Sequence, residues 1–163
     1  MTFDKEDLNE EHNVLIKKWV KVLRSGDYKQ GRKALKRKTS EGCEHCCLGV
    51  LAELQVEDES LGVKWSDIPT GPRGDQYVIL NDNGYIADGI LLEEMAAAAG
   101  FGHGYNSRRV EISHPTVRKI FGNSYDDFDL DPDCPPVLTD LNDKGATFAQ
   151  IADMIELEYL GGE

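Results

Sequence analysis

Tyr77-Val78-Ile79-Leu80-Asn81-Asp82-Asn83-Gly84-Tyr85-Ile86-Ala87 is the stretch that decides the fold class. Two apolar, β-prone runs flank a polar turn, and Asn-Gly accepts the positive φ that a tight hairpin demands. The periodic segments around this hairpin read as helices. Upstream, Leu8, His12, Leu15, Trp19, Val22 and Leu23 recur at three- and four-residue spacing, which predicts a helix from about Leu8 to Arg24, ended by Ser25-Gly26. Cys47, Val50, Leu51 and Leu54 repeat likewise, with Leu48 and Ala52 widening the arc, and predict a deeply buried helix over Cys46 to Leu54. Asp27 to Gly42 reads as a basic loop with a short helix through Arg32 to Arg37.

Downstream, helices are expected at Ile90 to Ala99 and from Pro115 to Phe121, Pro suiting a first helical turn. Ser124 to Pro136 is an acidic, proline-punctuated linker. Thr147 and Gln150 then form a capping-box pattern ahead of the stripe Phe148, Ile151, Ala152, Ile155 and Tyr159. The fold class is α+β: one domain over residues 1–163, four or five helices and a small antiparallel sheet built on the 77–87 hairpin, with an acidic loop at 124–136 before the C-terminal helical segment.

A length of 163 residues suits one domain with an adequate core, and 40% hydrophobic with 29% charged residues describes a globular chain. Met1 to Asn13 is acidic without an apolar leader stretch, and no run approaches the roughly 20 apolar residues of a membrane span, so a cytoplasmic location is expected. Cys43, Cys46 and Cys47 crowd together and Cys134 stands apart, a usage expected of thiols in a reducing compartment rather than of a disulfide framework.

Charge is unevenly spread. Lys17 to Lys38 holds ten Lys or Arg and one acid, a net of +9, so the other 141 residues carry −21 of the total −12. From Ile120 to Glu163 there are eleven acids and a single Lys144. Such polarity steers an anionic ligand to one face, disfavours general nucleic-acid binding, and lets two copies attract head to tail, so a homo-oligomer is expected.

Several motifs invite chemistry. Cys43-Glu44-His45-Cys46-Cys47 resembles half a zinc site but lacks the second ligand pair. Gly100, Gly102 and Gly104 follow a helix, whereas phosphate loops follow a strand. Asp126, Asp127, Asp129, Asp131 and Asp133 alternate like calcium ligands, yet an EF-hand started at Asp127 puts Pro132 at the glycine position and Leu138 at the bidentate glutamate. No nucleophile–base set or cofactor motif follows from spacing, so no catalytic residue, metal ligand or cofactor is assigned.

The basic segment is the best binding candidate. Arg24, Lys29, Gln30, Arg32, Lys33 and Arg37 offer charge and directed donors, Tyr28 offers a stacking face, and His103 is placed to join from its glycine-spaced loop.

Three blocks resemble a family of small, mostly uncharacterised bacteriophage and prophage proteins. They are Trp19-Val20-Lys21-Val22-Leu23-Arg24-Ser25-Gly26-Asp27-Tyr28-Lys29-Gln30-Gly31, then Cys46-Cys47-Leu48-Gly49-Val50-Leu51, then Leu141 through Glu156. The resemblance implies a phage context, in which small accessory proteins counter host defence. Joined to the basic segment, it leads to the expectation of a non-catalytic sponge for a small phosphate-bearing nucleotide signal. The alternatives are an inhibitor that binds a host protein through the acidic surface, and a small zinc-dependent protein using the Cys43–Cys47 cluster.

Overall fold

The apolar stripe of the first segment forms α1 (Lys5–Ser25) in the computed structural model, which describes residues 5–66, 75–84, 86–87, 90–102 and 107–161. Trp19 and Leu23 of the expected stripe are buried along it against the C-terminal helix α6 (Phe148–Tyr159), but Ile16 and Val20, outside that stripe, are buried with them, whereas Leu15 and Val22 are only partly buried. The hairpin forms as β6 (Ile79–Leu80) and β7 (Ile86–Ala87), with Gly84 at φ 83° and its N–H donated to the Asn81 carbonyl at 3.0 Å. Together with β4 (Lys64–Trp65) it makes a three-stranded antiparallel sheet in the order β4-β6-β7.

Tyr77 does not belong to that hairpin. It lies in β5 (Gln76–Tyr77), the edge of a four-stranded mixed sheet ordered β1-β3-β2-β5, with β1 at Lys29–Gln30, β2 at Lys36–Thr39 and β3 at Gly42–His45. The expected run 77–80 therefore serves two sheets, changing over at Val78, whose carbonyl accepts from the Ser66 N–H at 2.9 Å. The helix expected over Arg32 to Arg37 is absent: Gly31 to Leu35 bends, and Lys36 to Thr39 pairs antiparallel with β3. Long-range partners decide this. The Lys36 ammonium meets Glu53 at 3.0 Å and lies about 5 Å from the Trp65 and Tyr77 ring centroids, while Arg37 reaches toward Glu44 and Asp75.

The second buried helix, α2 (Cys47–Val56), is fixed by two contacts. Trp19 Nε1 donates to the Cys47 carbonyl at 2.9 Å. Gly49 passes so close to β2 that a Cβ there would stand 1.7 Å from the Leu35 carbonyl oxygen. The next helix, α3 (Glu93–Ala98), begins later than expected, because Leu91 and Leu92 enter the core in extended conformation and the Leu91 N–H is donated to the Arg108 carbonyl at 2.9 Å.

Pro115 opens α4 (His114–Phe121), whose N-terminus is held from α6: Glu158 accepts from the Ser113 N–H at 2.9 Å and from the Thr116 hydroxyl at 2.6 Å. The expected acidic linker is partly structured. Residues 122–128 form a 3-10 segment, Phe128 packs on Phe121 with the rings tilted by 59° and centroids 4.4 Å apart, and a further helix, α5 (Leu138–Asp143), follows it. The capping box of α6 is present, with Thr147 and Gln150 exchanging side-chain-to-backbone bonds at 3.0 and 3.2 Å. The expected α+β domain class holds.

Candidate functional site

The residues nominated from sequence are divided among different parts of the molecule. Arg24 is clasped by Asp153 at 2.6 Å and Glu156 at 2.8 Å, both on α6. Gln30 is engaged within the fold: its Nε2 donates to Asn142 at 2.9 Å and to the Ala146 carbonyl at 2.7 Å, and its Oε1 accepts from the Phe148 N–H at 3.1 Å. Tyr28 is half-buried with its ring edge-on to His45. Lys29 sits 3.5 Å from Glu41, Arg37 is held between Glu44 and Asp75, and Arg32 is exposed beside Gly145. His103 lies outside the described residues. Of the nominated set, Lys33 lines a small, partly open recess.

That recess, of about 180 Å³, is formed by Lys33 and Ala34 from the turn before β2, Cys46 at the cap of α2, Ile90, Arg109, and Thr139 and Asp143 from α5. Two backbone outliers accompany it: Lys33, one of its lining residues, and Val110, the chain neighbour of the lining residue Arg109. Lys33 adopts φ 65° and is held there by its N–H donating to Asp143 at 2.8 Å. Val110 adopts φ 65° as well, an unusual conformation for a β-branched residue, with a cost on the order of 1–3 kcal/mol. The surrounding backbone sustains it: the Leu138 N–H donates to the Val110 carbonyl at 2.8 Å, and the Ile112 N–H to the Pro136 carbonyl at 2.8 Å. This pairing turns Arg109 toward α5, where its guanidinium stands 3.8 Å from Asp140.

Thr139 supplies the second unusual feature. It is 8% exposed, and its hydroxyl is buried without a hydrogen-bond partner. Such a group carries a desolvation penalty of about 1–3 kcal/mol unless something binds it. Burial pushes the Cys46 thiol up to about 11, against the opposing pull of the Leu48 and Gly49 N–H groups. At neutral pH it is a protonated thiol, a weak donor rather than a nucleophile. Two cations, a hydroxyl and a thiol thus line a recess with Asp143, whose Oδ1 already accepts the Lys33 N–H, while Asp140 stands behind Arg109. This chemistry suits holding a compact anion.

The Cys43–His45–Cys46–Cys47 cluster does not converge. Cys43 is exposed, whereas Cys46 and Cys47 face the core. Among the described residues no three His, Cys, Asp or Glu side chains are arranged to hold a metal ion, and no helix is long and apolar enough to cross a membrane. His45 instead meets Glu53 at 2.8 Å.

Sequence reasoning reached Lys33 but missed Arg109, Thr139 and Asp143 as partners. No local spacing announces them, since the recess draws on five separate stretches of the chain. The basic pair Arg108-Arg109 is a signal in the net-acidic second half, but Arg118-Lys119 gives the same one elsewhere.

A family model described as a domain of unknown function, DUF8296, matches residues 12–159. No curated protein and no solved structure matches the chain.

Proposed function

The chain belongs to the DUF8296 family of domains of unknown function, and we propose that it is a non-catalytic binding protein that captures a small phosphate-bearing ligand at the Lys33–Arg109–Thr139 recess. The observation that carries this reading is the unpartnered Thr139 hydroxyl, buried beside two cations in a recess with two strained residues in or next to its lining. A compact dianion answers these groups together: it accepts from the hydroxyl and from the lysine ammonium and the arginine guanidinium, which also faces Asp140. At about 180 Å³ the recess is smaller than the roughly 300–1,000 Å³ typical of sites that enclose a whole ligand, so it receives the phosphate and leaves the remainder of the ligand outside. Arg32, exposed and next to Lys33 in the chain, adds to the positive field on this side of the molecule.

In the bacteriophage setting that the three sequence blocks suggest, the ligand is a nucleotide signal withheld from host defence. Isothermal titration with inorganic phosphate, AMP, ADP-ribose and a cyclic dinucleotide tests the reading. At least one of these is expected to bind, with affinity falling tenfold or more in Lys33→Ala and in Arg109→Gln. If none binds at millimolar concentration, or if both variants bind as tightly as the unaltered protein, the proposal fails.

A further inference from the structure

A second surface lies apart from the recess, in the cleft of about 430 Å³ between α1 and α6. Its floor is Val20 and Leu160, and its rim is Lys17, Lys21, Arg24 and Glu156. Lys17, Lys21 and Arg24 fall at i, i+4 and i+7, one face of α1, and span about 10 Å along its axis. Lys17 and Lys21 are exposed and make no ion pair among the described residues, while Arg24 is fixed by Asp153 and Glu156. Val14, one turn ahead of Lys17 on the same face, is 67% exposed.

We infer that this cleft docks an acidic segment of a partner protein that carries one apolar anchor. Charge complementarity selects the partner: a linear row of cations matches carboxylates strung along a chain. A compact phosphate needs donors converging on a point, whereas Lys17, Lys21 and Arg24 lie in a row along the helix. The apolar floor is the size of one large side chain, and a single buried anchor ringed by charge is how small interfaces gain affinity. A second copy of this chain fits less well. Its exposed acids Asp126, Asp127, Asp129 and Asp131 flank Phe128, which packs on its own Phe121 and is not free to enter the cleft.

Fluorescence anisotropy with a labelled, end-capped peptide of Asp and Glu residues around one central Leu tests this on the full chain. Saturable binding is expected, weakened at least tenfold by Lys17→Glu/Lys21→Glu, by half-molar salt, and by replacing the peptide's Leu with Ala. Both lysines are exposed, so the double variant should melt like the unaltered protein, which separates lost docking from lost folding. Lys33→Ala should leave peptide binding unchanged, so failure here is independent of failure at the recess. The inference is overturned by absence of saturation, by indifference to the lysine substitutions, or by equal binding of the anchor-free peptide. It is overturned also if sedimentation shows salt-sensitive self-association that the double variant abolishes, since the occupant is then a second copy.

Discussion

Thr139 separates stability from binding at a single residue. A buried hydroxyl with no partner penalises the empty protein, so its removal should not destabilise the fold. Thr139→Val is expected to melt at the same temperature or slightly higher, the gain reaching about 1 kcal/mol, while weakening phosphate-ligand affinity several-fold. Parallel thermal melts and titrations check this, and a variant that lost stability without losing affinity would mark the hydroxyl as structural. Glu53 makes a different residue-scale case. Burial alone would raise its pKa, but hydrogen bonds from His45 and Lys36 outweigh that and hold the carboxyl at about 2, below its ordinary 4.5. A depressed carboxylate stabilises the fold above its unfolded pKa, and that stability is lost as pH falls from about 4.5 toward 2. Glu53→Gln should therefore destabilise the protein by about 2 kcal/mol at neutral pH, and the difference from the unaltered protein should shrink through that acid window. Urea titrations at pH 7, 4 and 3 follow it.

At the scale of elements, α2 sits against β2 at a distance that only glycine permits. A methyl group at Gly49 would overlap the Leu35 carbonyl oxygen, which is backbone and cannot swing aside. Gly49→Ala is expected to cost about 3 kcal/mol or more, although alanine is the better helix former, and equilibrium denaturation measures it. Stability equal to the unaltered protein would mean that α2 and β2 do not approach in this way. The same contrast between local and distant causes explains what the sequence made legible. The helices α1, α2, α4 and α6 announce themselves because their apolar repeat and end signals lie within the element: Ser25-Gly26, Pro115, and the Thr147–Gln150 box. The strand at Lys36 to Thr39 was not legible, because a run of cations becomes a strand only through Glu53, Glu44, Asp75 and two aromatic rings elsewhere in the chain. Nor was the recess: its walls meet only after α5 has paired with the Val110 segment, and a positive φ at valine has no sequence signature.

Across the whole molecule, the basic segment is tied to the acidic remainder from within. Arg24 meets Asp153 and Glu156, Lys36 meets Glu53, and Arg37 meets Glu44 and Asp75, so much of the +9 segment is matched by the chain's own carboxylates. Three sequence blocks, residues 19–31, 46–51 and 141–156, meet at one buried amide. Asn142 Oδ1 accepts from Gln30 Nε2 at 2.9 Å and from the Cys47 N–H at 3.2 Å, and its Nδ2 donates to the Gly31 carbonyl at 2.8 Å. Gln30 carries the link onward to Ala146 and to the first N–H of α6. Asn142→Ala would strand a backbone donor at Cys47 and an acceptor at Gly31, each worth about 1–3 kcal/mol when buried, so a loss of about 3–4 kcal/mol is expected. That is a large share of the roughly 5–15 kcal/mol by which a domain is stable. Because Gln30 and Asn142 act as one network, the double variant Gln30→Ala/Asn142→Ala should lose less than the sum of the single losses, with a coupling of about 1 kcal/mol or more. Asp143, the next residue, lines the recess and holds Lys33 in its strained turn, so Asn142→Ala should also weaken ligand binding. Denaturation followed by tryptophan fluorescence, from Trp19 and Trp65, and by far-ultraviolet circular dichroism gives the two energies. Strictly additive losses, or a single loss under 1 kcal/mol, would mean that the three blocks are held together by apolar packing and that the amide is incidental.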